Sequence, residues 1–426
     1  MGSDFVHGFF HFSDFALEVM TMAYELDDQF RRLFYDAAIR VADWIVANQN
    51  AGDYDANRGR FAGAVSAREL NITWRSESWL TGVATMGMLM TWHRTEDKKY
   101  LDAALRAGEY LKTLQVLDAR EPRFFGAIGE HTPQSTWCYP RDGLTAAMAM
   151  LWLYEETKEQ EYLERVKMFN KWFMERAMQK GWPAWQYYFS DRAPDFLQGS
   201  FHGGDAQYFF DYYRVTGDGS CLEKGVRFIV DYALEKFIML DGRIKVIYDA
   251  AAEEYIEDGV TFDGMQKMHR HNDDFMTIGV LSAHLLYREP RYLGRAEAYA
   301  RWLISEQRLD GGFGKPDVPP AAATGTNFLI DLYEVTRKMQ YLQAALKGAK
   351  YLLTQQELNS EHKEIYGGFY GYDGKWNVGH RDVINLRTSG YALIALLKLE
   401  GKERGPYYSP FDRLGRFTAR PVEPQK

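Results

Sequence analysis

The stretch Trp92-His93-Arg94-Thr95-Glu96-Asp97-Lys98-Lys99-Tyr100-Leu101 returns as Tyr154-Glu155-Glu156-Thr157-Lys158-Glu159-Gln160-Glu161-Tyr162-Leu163 and as Tyr213-Arg214-Val215-Thr216-Gly217-Asp218-Gly219-Ser220-Cys221-Leu222. It comes back as Tyr333-Glu334-Val335-Thr336-Arg337-Lys338-Met339-Gln340-Tyr341-Leu342. The threonines fall about sixty residues apart, with two such periods before the last. The hidden copy between them is Leu286-Tyr287-Arg288-Glu289-Pro290-Arg291-Tyr292-Leu293, shortened but with the same ending. A repeat of this length is what stacked helical hairpins produce, because one hairpin cannot bury its own apolar face.

After each Tyr-Leu, apolar and small residues follow at the spacing of one helix face: Leu101, Ala104, Ala107, Tyr110 and Leu111, ending at Gln115. Leu293, Ala296, Tyr299, Trp302 and Leu303 end at Gln307, and Leu342, Ala345, Ala349 and Leu352 end at Gln355. Ala37, Val41, Trp44, Ile45 and Gln49 form the first copy. These are amphipathic outer helices, expected near 30–49, 98–116, 160–178, 221–237, 291–308 and 341–356. The second helix of each pair is apolar on nearly every side, as in Leu144–Leu153 or Tyr391–Leu399, which marks a helix buried all round. These inner helices are expected to start near 77, 142, 203, 272, 325 and 387. The fold class predicted is all-α, an (α/α)6 toroid over residues 30–400, with an N-terminal extension over 1–29 and a tail over 401–426. No polar capping repeat ends the series, which favours a closed ring over an open solenoid.

Links from inner to outer helices are short, whereas links from outer to inner run from about fifteen to over thirty residues. The long ones share one rim, where the inner helices begin, and long loops in a compact domain carry function. The longest, Leu240–Met268, alternates through Gly242–Tyr248 and is expected to hold a small β-hairpin.

The bulk composition narrows the classes. A net charge of −8 and the absence of a basic stripe argue against a nucleic-acid partner. Two cysteines, Cys138 and Cys221, make neither a disulfide framework nor a zinc site. No run of 18 apolar residues implies a membrane span, and Met1–Asp28 lacks the features of a signal peptide, so a cytoplasmic protein is expected; a mature secreted or periplasmic form would look the same. The aromatic share is high at 15%, with 11 Trp and 28 Tyr. Such rings fill cores, and in open clefts they also stack on sugar faces.

Each inner helix is approached through a different polar cluster, and helix starts offer free N–H groups to a ligand. The clusters are Trp74-Arg75-Ser76-Glu77-Ser78-Trp79, Tyr139-Pro140-Arg141-Asp142-Gly143, Phe201-His202-Gly203-Gly204-Asp205, His269-Arg270-His271-Asn272-Asp273-Asp274, Thr324-Gly325-Thr326-Asn327 and Arg387-Thr388-Ser389-Gly390-Tyr391. Candidate catalytic residues are therefore Glu77, Asp142, Asp205, Asp273, Asp274, His202 and His271. Cleaving a glycosidic bond takes one protonated and one ionised carboxyl, and each acid alone also reads as a helix cap. Candidate substrate contacts are Trp74, Arg75, Trp79, Tyr139, Arg141, Trp185, His269, Arg270, Arg387 and Tyr391, the arginines suiting a uronate. The spacing of His269 and His271 raises a metal site, but general acid–base work or sugar binding reads better, and no metal or cofactor is expected.

The repeat, the unequal rim loops and the acids heading inner helices resemble the (α/α)6-barrel carbohydrate-active enzymes: unsaturated glucuronyl hydrolases and related uronidases, sugar 2-epimerases and several polysaccharide lyases. The likeness spans about residues 30 to 400, and Asp142 within Tyr-Pro-Arg-Asp-Gly looks like the acid/base position of the unsaturated uronyl hydrolases. That resemblance implies a glycoside hydrolase acting on an oligosaccharide end, with Asp142 paired to Asp205 or Asp273. A lyase or epimerase using His202, His271 or a tyrosine for proton abstraction is the alternative, followed by a non-catalytic sugar- or peptide-binding toroid. Terpene-cyclase and prenyltransferase toroids share the architecture but need metal-binding arrangements this sequence lacks.

Overall fold

The computed structural model describes residues 28–179, 181–192, 197–256, 269–271, 276–313, 319–371 and 380–401. Among them lie twelve α-helices in six pairs. The outer helices are α1 (Asp28–Ala47), α3 (Lys98–Thr113), α5 (Gln160–Trp172), α7 (Ile229–Lys236), α9 (Pro290–Ser305) and α11 (Met339–Leu353). The inner ones are α2 (Ser78–Thr95), α4 (Pro140–Thr157), α6 (Asp205–Thr216), α8 (Met276–Tyr287), α10 (Pro319–Thr336) and α12 (Leu386–Glu400). Each inner helix packs on the next, and α12 packs on α1, α2 and α10, so the ring closes. Strand His380–Asn385 also pairs antiparallel with Ala62–Ser66, tying the last hairpin to the first.

The recurring sequence now has a physical account. Each repeated threonine is the last residue of an inner helix. Thr95, Thr157, Thr216 and Thr336 donate from the hydroxyl to the carbonyl four residues back. Each also accepts from the backbone N–H two residues on. The residue between adopts a left-handed conformation, as at Glu96 and Lys158, and the chain turns sharply into the next outer helix. The tyrosine of Tyr-Leu then reaches the preceding outer helix. Tyr100 bonds Asp43, Tyr162 bonds Glu109, Tyr292 bonds Asp231 and Tyr341 bonds Glu297. Beyond four of the outer helices a glutamine clamps two carbonyls, one in its own loop and one in the next outer helix. Gln49, Gln115, Gln307 and Gln356 all do so. In the last copy the clamp is thus Gln356 and not Gln355, because the turn beyond α11 places the neighbouring residue in the seam.

The far ends of the inner helices are sewn together by buried polar pairs. Trp92 and His93 meet Glu156, Trp152 meets Asp211, and Arg214 grips Glu155. Arg94 grips Glu400, and Lys398 pairs with Asp331. These contacts link α2 to α4, α4 to α6, α12 to α2 and α12 to α10, closing the end of the ring opposite the helix starts.

Three boundaries differ from expectation. α10 begins at Pro319, not near 325, because prolines are tolerated in a first helical turn where N–H groups lack partners anyway. Thr324, Gly325, Thr326 and Asn327 therefore lie inside the helix. The fourth outer helix is not regular throughout: a wider π-type segment, Glu223–Phe228, precedes α7. In the longest loop, strands Ile247–Asp249 and Glu254–Tyr255 form a hairpin, and Leu197–Gly199 adds a third strand, so the β element sits slightly later than its alternation indicated.

Candidate active site

The starts of α2, α4, α6 and α12 converge on one cluster. Glu77 is the N-cap residue of α2, though its side chain accepts no capping hydrogen bond; it is 8% exposed, and among the described residues its Oε2 has no hydrogen-bond partner. Burial and the nearby Asp142 carboxylate push its pKa up to about 8, against the opposing pull of Arg387 and Arg60. Arg60 itself is buried and donates to the carbonyl of Ser76 at 2.6 Å, bracing the turn that delivers Glu77.

Asp142 lies in the first turn of α4, where the helix N-terminus favours negative charge. Burial raises its pKa above the usual range, while the charges of Arg141 and Arg387 oppose that rise. Glu130 was absent from the residues that sequence reasoning singled out. It sits in the loop between α3 and α4, is 1% exposed, and accepts from the Tyr139 N–H at 2.9 Å. Burial and then the neighbouring Asp142 hold its pKa well above the carboxylate range. No spacing rule points to it, because it belongs to an irregular loop and heads no helix.

Asp205, the first residue of α6, is fully buried. Its Oδ2 lies 3.1 Å from His202 Nδ1 and its Oδ1 lies 3.7 Å from Arg141 Nε. Among the described residues the buried His202 Nε2 has no hydrogen-bond partner. His269 is buried beside it, its ring 5.1 Å from that of Phe201. Burial, then the charges of Arg387 and Arg141, drive its pKa well below the usual value, so it is a neutral imidazole.

Arg387 is fully buried in the first turn of α12, with its guanidinium 4.5 Å over the ring of Trp79. Trp79 in turn donates to the hydroxyl of the buried Tyr391. Tyr139 is half-buried and meets Trp137 edge-on at 5.0 Å.

Other candidates lie elsewhere. His271 stacks on Trp302 at 5.2 Å, with Nε2 3.8 Å from Glu306, so it faces the outer helix α9. Arg270 is exposed. Trp185 is buried edge-on against Phe201 and anchors its loop, as does the buried Trp182 against Tyr232 and Phe237. Both indoles are buried, so neither is an open sugar platform. Trp74 lies over Gly63, and the charge of Arg75 acts on Tyr110 and Asp55. Asp273 and Asp274 lie outside the described residues. Among the described residues no group of three His, Cys, Asp or Glu is arranged to hold a metal ion, and no helix is long and apolar enough to cross a membrane.

No protein-family model matches this chain, and no curated protein does. Solved structures do. Unsaturated glucuronyl hydrolase from Bacillus sp. GL1 aligns with a TM-score of 0.68 over 91% of this chain and 100% of its own, at 15% identity. The chain has the (α/α)6-toroid fold. Cellobiose 2-epimerase from Bacillus thermoamylovorans shares this toroid with a TM-score of 0.67, 14% identity, and coverage of 87% here and 99% there. The GH76 α-mannanase of Bacteroides thetaiotaomicron shares it with a TM-score of 0.64, 12% identity, and coverage of 86% and 95%. At such identities the likeness concerns the toroid and not its chemistry.

Proposed function

We propose that this toroid is a carbohydrate-active enzyme, a glycoside hydrolase in which Glu77 is the general acid and Asp142 the carboxylate that serves as base or nucleophile. The observation that carries this reading is the pair of neighbouring buried carboxyls at the heads of α2 and α4, set in different surroundings. Glu77, with a pKa raised to about 8, keeps its proton at neutral pH. Burial raises the Asp142 pKa as well, but Arg141 and Arg387 beside it oppose that rise and favour its ionised form. A protonated carboxyl beside one flanked by arginines can supply the acid and the base that glycosidic cleavage needs. Glu77 passes its proton to the glycosidic oxygen as the bond breaks. Asp142 takes a proton from the attacking water or attacks the anomeric carbon itself. Asp205 then serves as a positioning residue, holding His202 and Arg141. The likeness to a glucuronyl hydrolase, an epimerase and a mannanase supports the substrate class. A uronic acid at the cleaved end suits the cationic Arg387.

The test is a panel of chromogenic glycosides, glucuronides included, with wild type, Glu77→Gln and Asp142→Asn. Each variant is expected to lose at least ~100-fold in rate with an unchanged circular dichroism spectrum. Turnover at the wild-type rate in either would remove the assignment.

One observation favours a second reading, an epimerase or lyase. The imidazole of His202, aimed by Asp205 and with no partner for Nε2 among the described residues, is disposed to take a proton from carbon. Sugar recovered from D2O with deuterium on carbon and no cleavage would mark an epimerase. A new near-ultraviolet absorbance would mark a lyase.

A further inference from the structure

We infer that the two-stranded ribbon of Trp137-Cys138 and Tyr187-Tyr188 forms a second sugar subsite beside Asp142, in which Trp137 and Tyr139 hold the ring next to the one that reacts. The protein then prefers an oligosaccharide to a single sugar. This deepens the carbohydrate reading and rests on it for the class of ligand.

The register of the ribbon sorts its side chains. Trp137 stands opposite Tyr188 and Cys138 opposite Tyr187. Opposed residues share a face and successive residues alternate, so Trp137 and Tyr188 lie on one face and Cys138 and Tyr187 on the other. The second face is the packed one: Cys138 is fully buried, and Tyr187 meets Trp172 at 5.2 Å and Phe124 at 6.3 Å. On the first face Trp137 and Tyr188 are only half-buried. Tyr139 continues that face, half-buried too, with its backbone still extended and its ring at 77° to that of Trp137. Two perpendicular rings make a floor and a wall for one sugar ring. Neither the indole N–H of Trp137 nor the hydroxyl of Tyr139 has a hydrogen-bond partner among the described residues, so each offers a polar tip to a sugar hydroxyl. The Arg192 guanidinium lies over the ring of Tyr188 at 3.9 Å, which leaves Trp137 and Tyr139 as the stacking pair. Hydrogen bonds fix this corner to the carboxyl cluster. The Trp137 carbonyl accepts from Glu130 N–H at 3.3 Å, Glu130 Oε2 accepts from Tyr139 N–H at 2.9 Å, and the Tyr139 carbonyl accepts from Asp142 N–H at 2.9 Å. The Glu130 carbonyl accepts from Ser78 N–H at 2.9 Å, next to Glu77. A sugar held at Glu77 and Asp142 therefore has the corner beside it, within reach of the adjoining ring.

Calorimetric titration of the full chain tests this, with Glu77→Gln in every sample so that nothing is cleaved. The probes are α-1,6-mannotriose with mannose, cellotriose with glucose, and trigalacturonate with galacturonate. At least one trisaccharide is expected to bind about tenfold more tightly than its own monosaccharide, an advantage lost in Trp137→Ala and largely kept in Trp137→Phe. Should circular dichroism show Trp137→Ala unfolded, Trp137→Leu, which keeps apolar bulk without a ring, is read in its place. No trisaccharide advantage anywhere in the panel, or one that survives loss of the Trp137 ring, would overturn the inference. Binding is read without turnover, so the two readings fail separately: a Trp137-dependent advantage in a protein inactive on every glycoside sinks the hydrolase alone, and cleavage without any such advantage sinks the subsite alone.

Discussion

The indole Nε1 of Trp79, on the first inner helix, donates to the hydroxyl of Tyr391, on the last, at 2.9 Å. One hydrogen bond thus bridges residues 312 positions apart and seats Trp79 beneath Arg387. Replacing Trp79 by Phe keeps a ring for the cation and removes the bond. Urea denaturation should register a loss of about 1 kcal/mol, and Trp79→Ala should lose more, because the cation–π contact goes too. Equal stability of the Phe and Ala variants would count against the cation–π contact.

Glu77 makes stability depend on pH. Its folded pKa, about 8, lies above the ordinary value of 4.5, so between these the folded protein holds a proton that the unfolded chain has released. Its contribution is complete below the ordinary value and is lost as pH rises through the folded one. Glu77→Gln should therefore gain on wild type between pH 5 and pH 9, by on the order of 3 to 5 kcal/mol. A difference in melting temperature that stays constant over that range would contradict the protonated state.

The glycine turns beyond the outer helices are docked on their neighbours. At Gly59, with φ of +91°, an added Cβ would lie 2.0 Å from the carbonyl of Arg106, and at Gly311, with φ of +96°, 2.1 Å from that of Lys347. Alanine at either site should cost about 2 to 4 kcal/mol, since backbone must move. At Gly217, with φ of +74°, nothing lies within 4 Å, and alanine there should cost only about 1 kcal/mol. Equilibrium unfolding of the three variants gives the ranking.

Lys398 and Asp331 form an ion pair with side chains 3% and 2% exposed. Lys398→Ala removes the buried cation beside the Asp331 carboxylate and should destabilise by about 3 to 5 kcal/mol. The double variant Lys398→Met with Asp331→Leu should recover most of the loss. A double variant as weak as the single one would mean that the pair shapes the α10–α12 seam beyond its charge balance.

Much of the ring was readable residue by residue. Thr95 and its counterparts cap a turn using atoms within a few residues, and Tyr100 and Gln115 reach only the adjacent hairpin. Such contacts recur each time the hairpin recurs, so they leave a period in the sequence. The site was less legible. Glu77, Asp142 and Asp205 stood out as acids heading inner helices, but His271 occupies an equivalent position and faces α9, because a side chain two residues further along a helical turn points another way. Glu130 had no periodic neighbour to flag it.

The chain of residues alone determined the number of hairpins, which helix of each pair lies inside, and the rim on which the long loops gather, since apolar spacing and turn chemistry act locally and repeat. Only the tertiary structure decided which acids are neutral. That depends on burial and on charges from α2, α4, the loop before α6 and α12 meeting in one place, and distances between segments far apart in sequence carry no periodic mark.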